Sequence, residues 1–296
     1  MIWETLFVLA IVAAVPFVLE ARRKRIGARE RRASPGKSAV LSQGITHYQW
    51  LGPVRGPIVV AIHGMTTPST VWTEVAEGLG SIGYRVLVYD LYGRGLSDAP
   101  DGRQDTPFFL RQLTDLLADQ GVGQDLTVVG YSMGGAIATA FAGTHPERVK
   151  RLILLAPIGM GHAEDGVTRL IRQVPFAGDW LHLALAGVRL RRASGAMAGA
   201  QLAELERRGY RPAILSSIRG ILQDRQEEHH RAIGRADVPV VALWGDKDDI
   251  VPLSGLGNLA QWNRPARQEV IAGAGHGMPF THAPEVMAVL KDVLRE

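Results

Sequence analysis

The chain has no cysteine. That excludes a disulfide framework, thiolate metal sites and a cysteine nucleophile. It also lacks a basic excess on its body. Residues 1–37 hold eight Lys or Arg against three acids, a balance of +5, while the whole chain is +4, so the remainder sums to −1. A nucleic-acid face leaves basic charge on the folded body, which sets nucleic acid aside as a partner. There is no internal repeat and no long low-complexity tract. No G-x-G-x-x-G follows the first strand of the body, so that junction is not a dinucleotide site. At 296 residues and 46% apolar content, the chain can bury a substantial core.

What is present begins with one long hydrophobic run. Thr5 to Leu19 carries no charge, and Ile2 and Trp3 extend it. A membrane span needs about 20 mainly apolar residues, with a range of roughly 17–25. A cleaved signal peptide wants positive charge before its apolar run. Here Glu4 precedes the run and the arginines follow it. Residues 1–20 are therefore expected to be an uncleaved, single-pass membrane anchor. Positive charge favours the cytoplasmic side, so the body is expected there. Residues 21–38 read as a basic, solvated linker whose arginines can meet anionic headgroups.

The body alternates short apolar runs with helical patterns. "PIVVAIHG", "YRVLVYD", "DLTVVG", "VKRLILLAP", "VPVVALWGD" and "RQEVIAGAG" read as strands, separated by helices, and "SAVLSQGITHYQWLG" as two strands or a hairpin. Such alternation predicts an α/β fold with a mostly parallel, doubly wound sheet. Ligands bind outside the carboxyl ends of its strands. The alternation breaks between residues 159 and 236, where Leu, Ala and Arg dominate. That stretch is expected to be a helical lid inserted into a core of residues 39–158 and 237–296.

Three motifs follow three of the predicted strands. Gly130-Tyr131-Ser132-Met133-Gly134 is a G-x-S-x-G between a strand and a helix. It resembles the nucleophile elbow of the α/β-hydrolase family. On its own it also fits a Gly-rich turn or a phosphate-binding loop. "WGDKDDIVP" resembles the family's acid loop, with Gly245, Asp248 and Pro252 at matching spacing and Asp246 and Asp249 as close rivals. "GAGHGMPF" resembles its histidine loop, with His276 as the base. The resemblance covers nearly all of residues 39–296 and keeps the family's order of serine, acid, histidine.

The chemistry explains the residue types. A serine hydroxyl is a weak nucleophile, so a neutral imidazole must take its proton as it attacks a carbonyl. The imidazole needs a carboxylate to hold its tautomer. The resulting oxyanion needs aimed N–H donors. The resemblance assigns these to the backbone of Met133 and of Met65, in "IHGMTTPSTVW". It implies a carboxylic ester hydrolase working through an acyl-enzyme, with no metal or organic cofactor.

Serine at 132 argues against dehalogenases and epoxide hydrolases of this family, which use aspartate there. Gly277 after His276 weakens carbon–carbon bond hydrolysis, where tryptophan usually follows. Acyl transfer or thioester cleavage by the same triad stays open, as does a non-catalytic binding role. Among esterases, the chain resembles monoacylglycerol-lipase-like enzymes. Leu181, Leu183, Leu185, Val188 and Leu190, near Phe176 and Trp180, suit a lipophilic acyl chain, as would Trp72. Packing of the lid on the sheet is the alternative for these residues. His63 and Asp90 read as structural, Arg94 as a buried loop ion pair, and His229-His230 as part of a solvated lid helix. The substrate is expected to be a small, lipid-like ester. Nothing in the sequence sets an oligomeric state.

Overall fold

The computed structural model describes residues 1–190 and 197–295. Eight strands form one sheet: β1 (Lys37–Leu41), β2 (Gly44–Leu51), β3 (Ile58–Ile62), β4 (Arg85–Tyr89), β5 (Leu126–Tyr131), β6 (Val149–Leu155), β7 (Val240–Gly245) and β8 (Arg267–Ile271). Their order is β1-β2-β4-β3-β5-β6-β7-β8. The first two pairings, β1 with β2 and β2 with β4, are antiparallel, and the rest are parallel.

Strand composition fixes the layering. Successive side chains on a strand point to opposite faces. On β3, Val60 and Ile62 join one core and Val59 and Ala61 the other. β4 divides likewise, with Leu87 and Tyr89 opposite Val86 and Val88. Apolar residues at every position therefore demand helices on both faces, as parallel sheets require. Helices Thr106–Asp119, Met133–Thr144 and Ser254–Trp262 cover the first face. Helices Thr73–Ser81 and Ala283–Val293 cover the second.

Between β6 and β7 the chain runs through helices Gly166–Gln173, Ala177–Leu190, Ala198–Leu205, Tyr210–Arg219 and Glu227–Arg235. The last is not part of a solvated lid. It packs on helix Met133–Thr144, and His229 approaches Gly143 so closely that a Cβ there would stand 2.8 Å from the His229 Cα. His230 is fully buried beside Trp262, and burial pushes its pKa down to about 4. No cluster of three His, Cys, Asp or Glu side chains suited to a metal occurs among the described residues.

The N-terminal run is one helix, Ile2–Ala21, with mean hydropathy 2.3 and mostly exposed side chains. By length and composition it can cross a membrane. The segment after it is docked, contrary to a solvated linker. Arg31 donates to the Leu96 carbonyl and the Asp98 carboxylate. Lys24 and Arg207 form a backbone bridge, and Glu20 accepts from the Gly209 N–H at 2.8 Å. Charged side chains with fixed carbonyl and carboxylate partners lose the freedom that a basic tract otherwise keeps.

Candidate active site

The site starts from a strained turn. β5 ends at Tyr131, and Ser132 adopts φ 54°, ψ −119° before helix Met133–Thr144 begins. A non-glycine residue in that region carries strain and persists only where its surroundings over-determine it. Here the Ser132 N–H donates to the Leu155 carbonyl at 2.9 Å. Its own carbonyl accepts from Gly135 at 2.9 Å and Ile158 at 3.1 Å. The motif's glycines are steric necessities. A Cβ on Gly130 would strike the Gly134 carbonyl, and one on Gly134 would strike the carbonyls of Ile62 and His63.

The three motifs converge. His276, in the loop after β8, places Nε2 2.9 Å from Ser132 Oγ and Nδ1 2.8 Å from Asp248 Oδ2. Asp248, in the loop after β7, accepts at Oδ1 from the N–H groups of Ile250 and Val251, both at 2.8 Å. Burial opposes its charge, but the His276 hydrogen bond and these two N–H groups outweigh it and hold the carboxyl below its usual range. An ionised Asp248 makes Nδ1 the protonated nitrogen, which leaves Nε2 to accept from the serine hydroxyl. The rival Asp246 is committed elsewhere, accepting from Gly273 N–H at 2.7 Å. Asp249 sits on the cavity wall without joining His276.

The loop after β3 meets the same point. Ile62 pairs with Gly130 across the sheet, so Gly64 lies against the elbow, where a Cβ would be 3.3 Å from the Ser132 Cβ. His63 is buried and neutral, its pKa pushed down to about 4 by burial. Its Nε2 accepts from the Leu91 N–H at 2.8 Å, so Nδ1 donates to the Gly64 carbonyl at 2.7 Å. That carbonyl shares its peptide plane with the Met65 N–H, so His63 orients this donor. Arg94 is not the loop ion pair expected. It is 1% exposed and donates to the carbonyls of Met65 and Tyr92 and to Gln104 and Ser217. No carboxylate pairs with it among the described residues, and burial lowers its pKa to about 10. Asp90 is structural, accepting from the N–H groups of Ser69 and Leu96.

A cavity of about 700 Å³ opens over Ser132, Met65, Met133 and His276. Its apolar wall is Ile158, Ile214, Ile218 and Leu222, with His162, Glu164 and His182 as polar members. The four expected substrate contacts do not line it. Trp72 is 1% exposed and packs edge-on to Tyr131 in the core. Phe176 is 86% exposed. Trp180 donates its indole N–H to the Val12 carbonyl at 3.0 Å. Leu181 is half-buried away from the cavity, and the Leu190 side chain lies outside the described residues. The alternating leucines have strand period, while a helix repeats every 3.6 residues. Helix Ala177–Leu190 accordingly turns His182 and Ala186 to the cavity. The readable signal was elsewhere: Tyr210, Ile214 and Ile218 recur every fourth residue and form one cavity-facing side of their helix.

A protein-family model described as the alpha/beta hydrolase fold matches residues 57–179 and 212–283. The chain belongs to the α/β-hydrolase fold family. Epoxide hydrolase 3 of Xenopus tropicalis is 26% identical, with 99% of this chain and 92% of that protein covered. The enol-lactonase from Burkholderia xenovorans LB400 superposes with TM-score 0.74 at 21% identity, covering 88% of this chain and 100% of that one. The bromoperoxidase from Bacillus anthracis gives TM-score 0.76 at 21% identity, again covering 88% and 100%. These hydrolase-fold relatives are named for different reactions, so the likeness fixes fold and family while the reaction must be argued from the site.

Proposed function

We propose that this α/β-hydrolase is a serine hydrolase of carboxylic esters with lipophilic acyl groups, held at a membrane by helix Ile2–Ala21 with its body on the cytoplasmic side. The observation that carries the reading is the single imidazole bridging Ser132 Oγ at 2.9 Å and Asp248 Oδ2 at 2.8 Å on the floor of a cavity.

In this reading Ser132 attacks the ester carbonyl while His276 Nε2 takes its proton. Asp248 holds the tautomer and stabilises the imidazolium. The oxyanion is met by the N–H groups of Met65 and of Met133, the first residue of its helix, where the dipole adds positive charge. His276 returns the proton to the leaving alkoxide. Water then attacks the acyl-enzyme by the same route and restores the serine. An epoxide hydrolase of this family would use a carboxylate where Ser132 stands. The apolar wall of Ile158, Ile214, Ile218 and Leu222 suits the acyl chain.

The test is a chain-length series of p-nitrophenyl esters in mild detergent, with the full chain and with Ser132→Ala. Activity that rises with acyl length and disappears in the variant is the expected result. A preference for acetate would remove the lipophilic part. Equal activity in Ser132→Ala would remove the serine mechanism.

A further inference from the structure

The helices from Gly166–Gln173 to Tyr210–Arg219, between β6 and β7, form a cap over the strand ends, and it carries an apolar edge that the cavity does not use. Phe176 is 86% exposed and Val188 51%, and on the preceding helix Val167 and Leu170 are 43% and 50% exposed. Phe176, Trp180, Ala184 and Val188 are spaced by four, so they share one side of helix Ala177–Leu190 and its entry. His182 and Ala186, which line the cavity, lie on the other side. The N-terminal helix rests on the outer side, through the Trp180 indole and the Val12 carbonyl.

We propose that helix Ile2–Ala21 and this cap edge form one membrane-inserting surface, with Phe176, Leu170 and Val188 seated in the bilayer interface directly behind the cavity wall. The proposal rests on the membrane attachment argued above. Its geometric ground is the point of contact. Val12 lies nine residues before the end of the helix at Ala21, about 13 Å along the axis. With the cap docked at Val12, midway along it, the helix lies along the bilayer face rather than upright, and its entry into the apolar boundary draws the cap to the surface. An interfacial apolar face sinks roughly 5–10 Å into the boundary of headgroups and acyl chains. Arg22 and Arg25, exposed just past the helix, then stand at the depth of anionic headgroups. The consequence is that an ester dissolved in the bilayer meets the cap before it meets water.

Because the native chain has no cysteine, single cysteines can be labelled without background. The full-length protein would be reconstituted in phosphatidylcholine–phosphatidylglycerol nanodiscs with nitrobenzoxadiazole at Phe7→Cys, Phe176→Cys or Val54→Cys. Val54 is 87% exposed in the turn before β3, at the opposite end of the strands from the site. Doxyl groups on the acyl chains should quench the labels at 7 and 176 and spare the one at 54. Quenching at 7 without quenching at 176 would overturn the proposal and leave the attachment standing. No quenching at either would overturn both. A blue shift at 176 without acyl-chain quenching would mean that a second copy covers the edge, and would also overturn it. In parallel, Leu170→Asp with Phe176→Asp should slow hydrolysis of a bilayer-embedded ester about tenfold and leave a soluble butyrate ester unchanged. An equal effect on both esters would count against the proposal.

Discussion

The loops after β3, β5, β7 and β8 and the helices between β6 and β7 build opposite walls of one cavity by different means. At the strand ends, backbone geometry dictates residue type. Ser132 sits at φ 54° between glycines where any Cβ would press on a backbone carbonyl, and Asp248 and His276 are held by hydrogen bonds of 2.8–2.9 Å. In the cap, several residue types would serve at most positions. Ile214, Ile218 and Leu222 need only be apolar and of suitable volume. In the function proposed, the strand ends carry the chemistry and the cap carries the choice of substrate and the contact with its source.

The largest effect should come from the strand ends. Ser132→Ala is expected to lower turnover of p-nitrophenyl butyrate at least 10⁴-fold, and Asp248→Asn by about 10⁴ through the wrong tautomer. Unchanged circular dichroism would show that the fold survives.

Glu204 gives the cap's sharpest handle on stability. It is 1% exposed, and burial pushes its pKa up to about 7 against the attraction of Arg207 and the Gly95 N–H. The folded state thus favours the protonated acid. That contribution is full below the unfolded value of 4.5 and is lost as pH rises through about 7. Glu204→Gln should flatten this fall, worth about 3 kcal/mol across the window, in melts at pH 5 and pH 8.

Smaller effects separate tight backbone from open surface. Gly134→Ala drives a methyl group into the Ile62 carbonyl and should cost about 1–3 kcal/mol, lowering both Tm and activity. Gly257→Ala, in helix Ser254–Trp262 with open space around it, should instead stabilise by up to ~1 kcal/mol. Equal effects of the two substitutions would erase the difference between tight backbone and open surface. Ile218→Trp fills the cavity from the cap side. It should lower kcat/KM for long-chain esters about tenfold while sparing acetate.

The strand ends were legible because local chemistry and global fold demand the same residues there. Apolar runs bounded by Gly and Asp marked each strand, and the order of Ser132, Asp248 and His276 pointed to one site. The cap was less legible because helices bury residues by period and partner, which sequence shows only in part. Reading Leu181, Leu183 and Leu185 as one lining mistook alternation for a helix face. Arg94 satisfies its guanidinium on carbonyls and neutral side chains, so no acid in the sequence marks it. His230 looks solvated beside charged neighbours, yet its helix turns it under Trp262. The basic run after the N-terminal helix looks like a free tether, but Lys24 and Arg31 find partners far along the chain.

The most direct measurement is active-site labelling. The full-length protein would be treated with a fluorophosphonate, which transfers its phosphonyl group to an activated serine oxygen with loss of fluoride. Peptide mass spectrometry then locates the adduct. One equivalent on Ser132, with labelling slowed by orders of magnitude in His276→Ala, is the expected result. A protein that stays unlabelled at Ser132, or one labelled there at the same rate without His276, would contradict the serine–histidine–aspartate assignment.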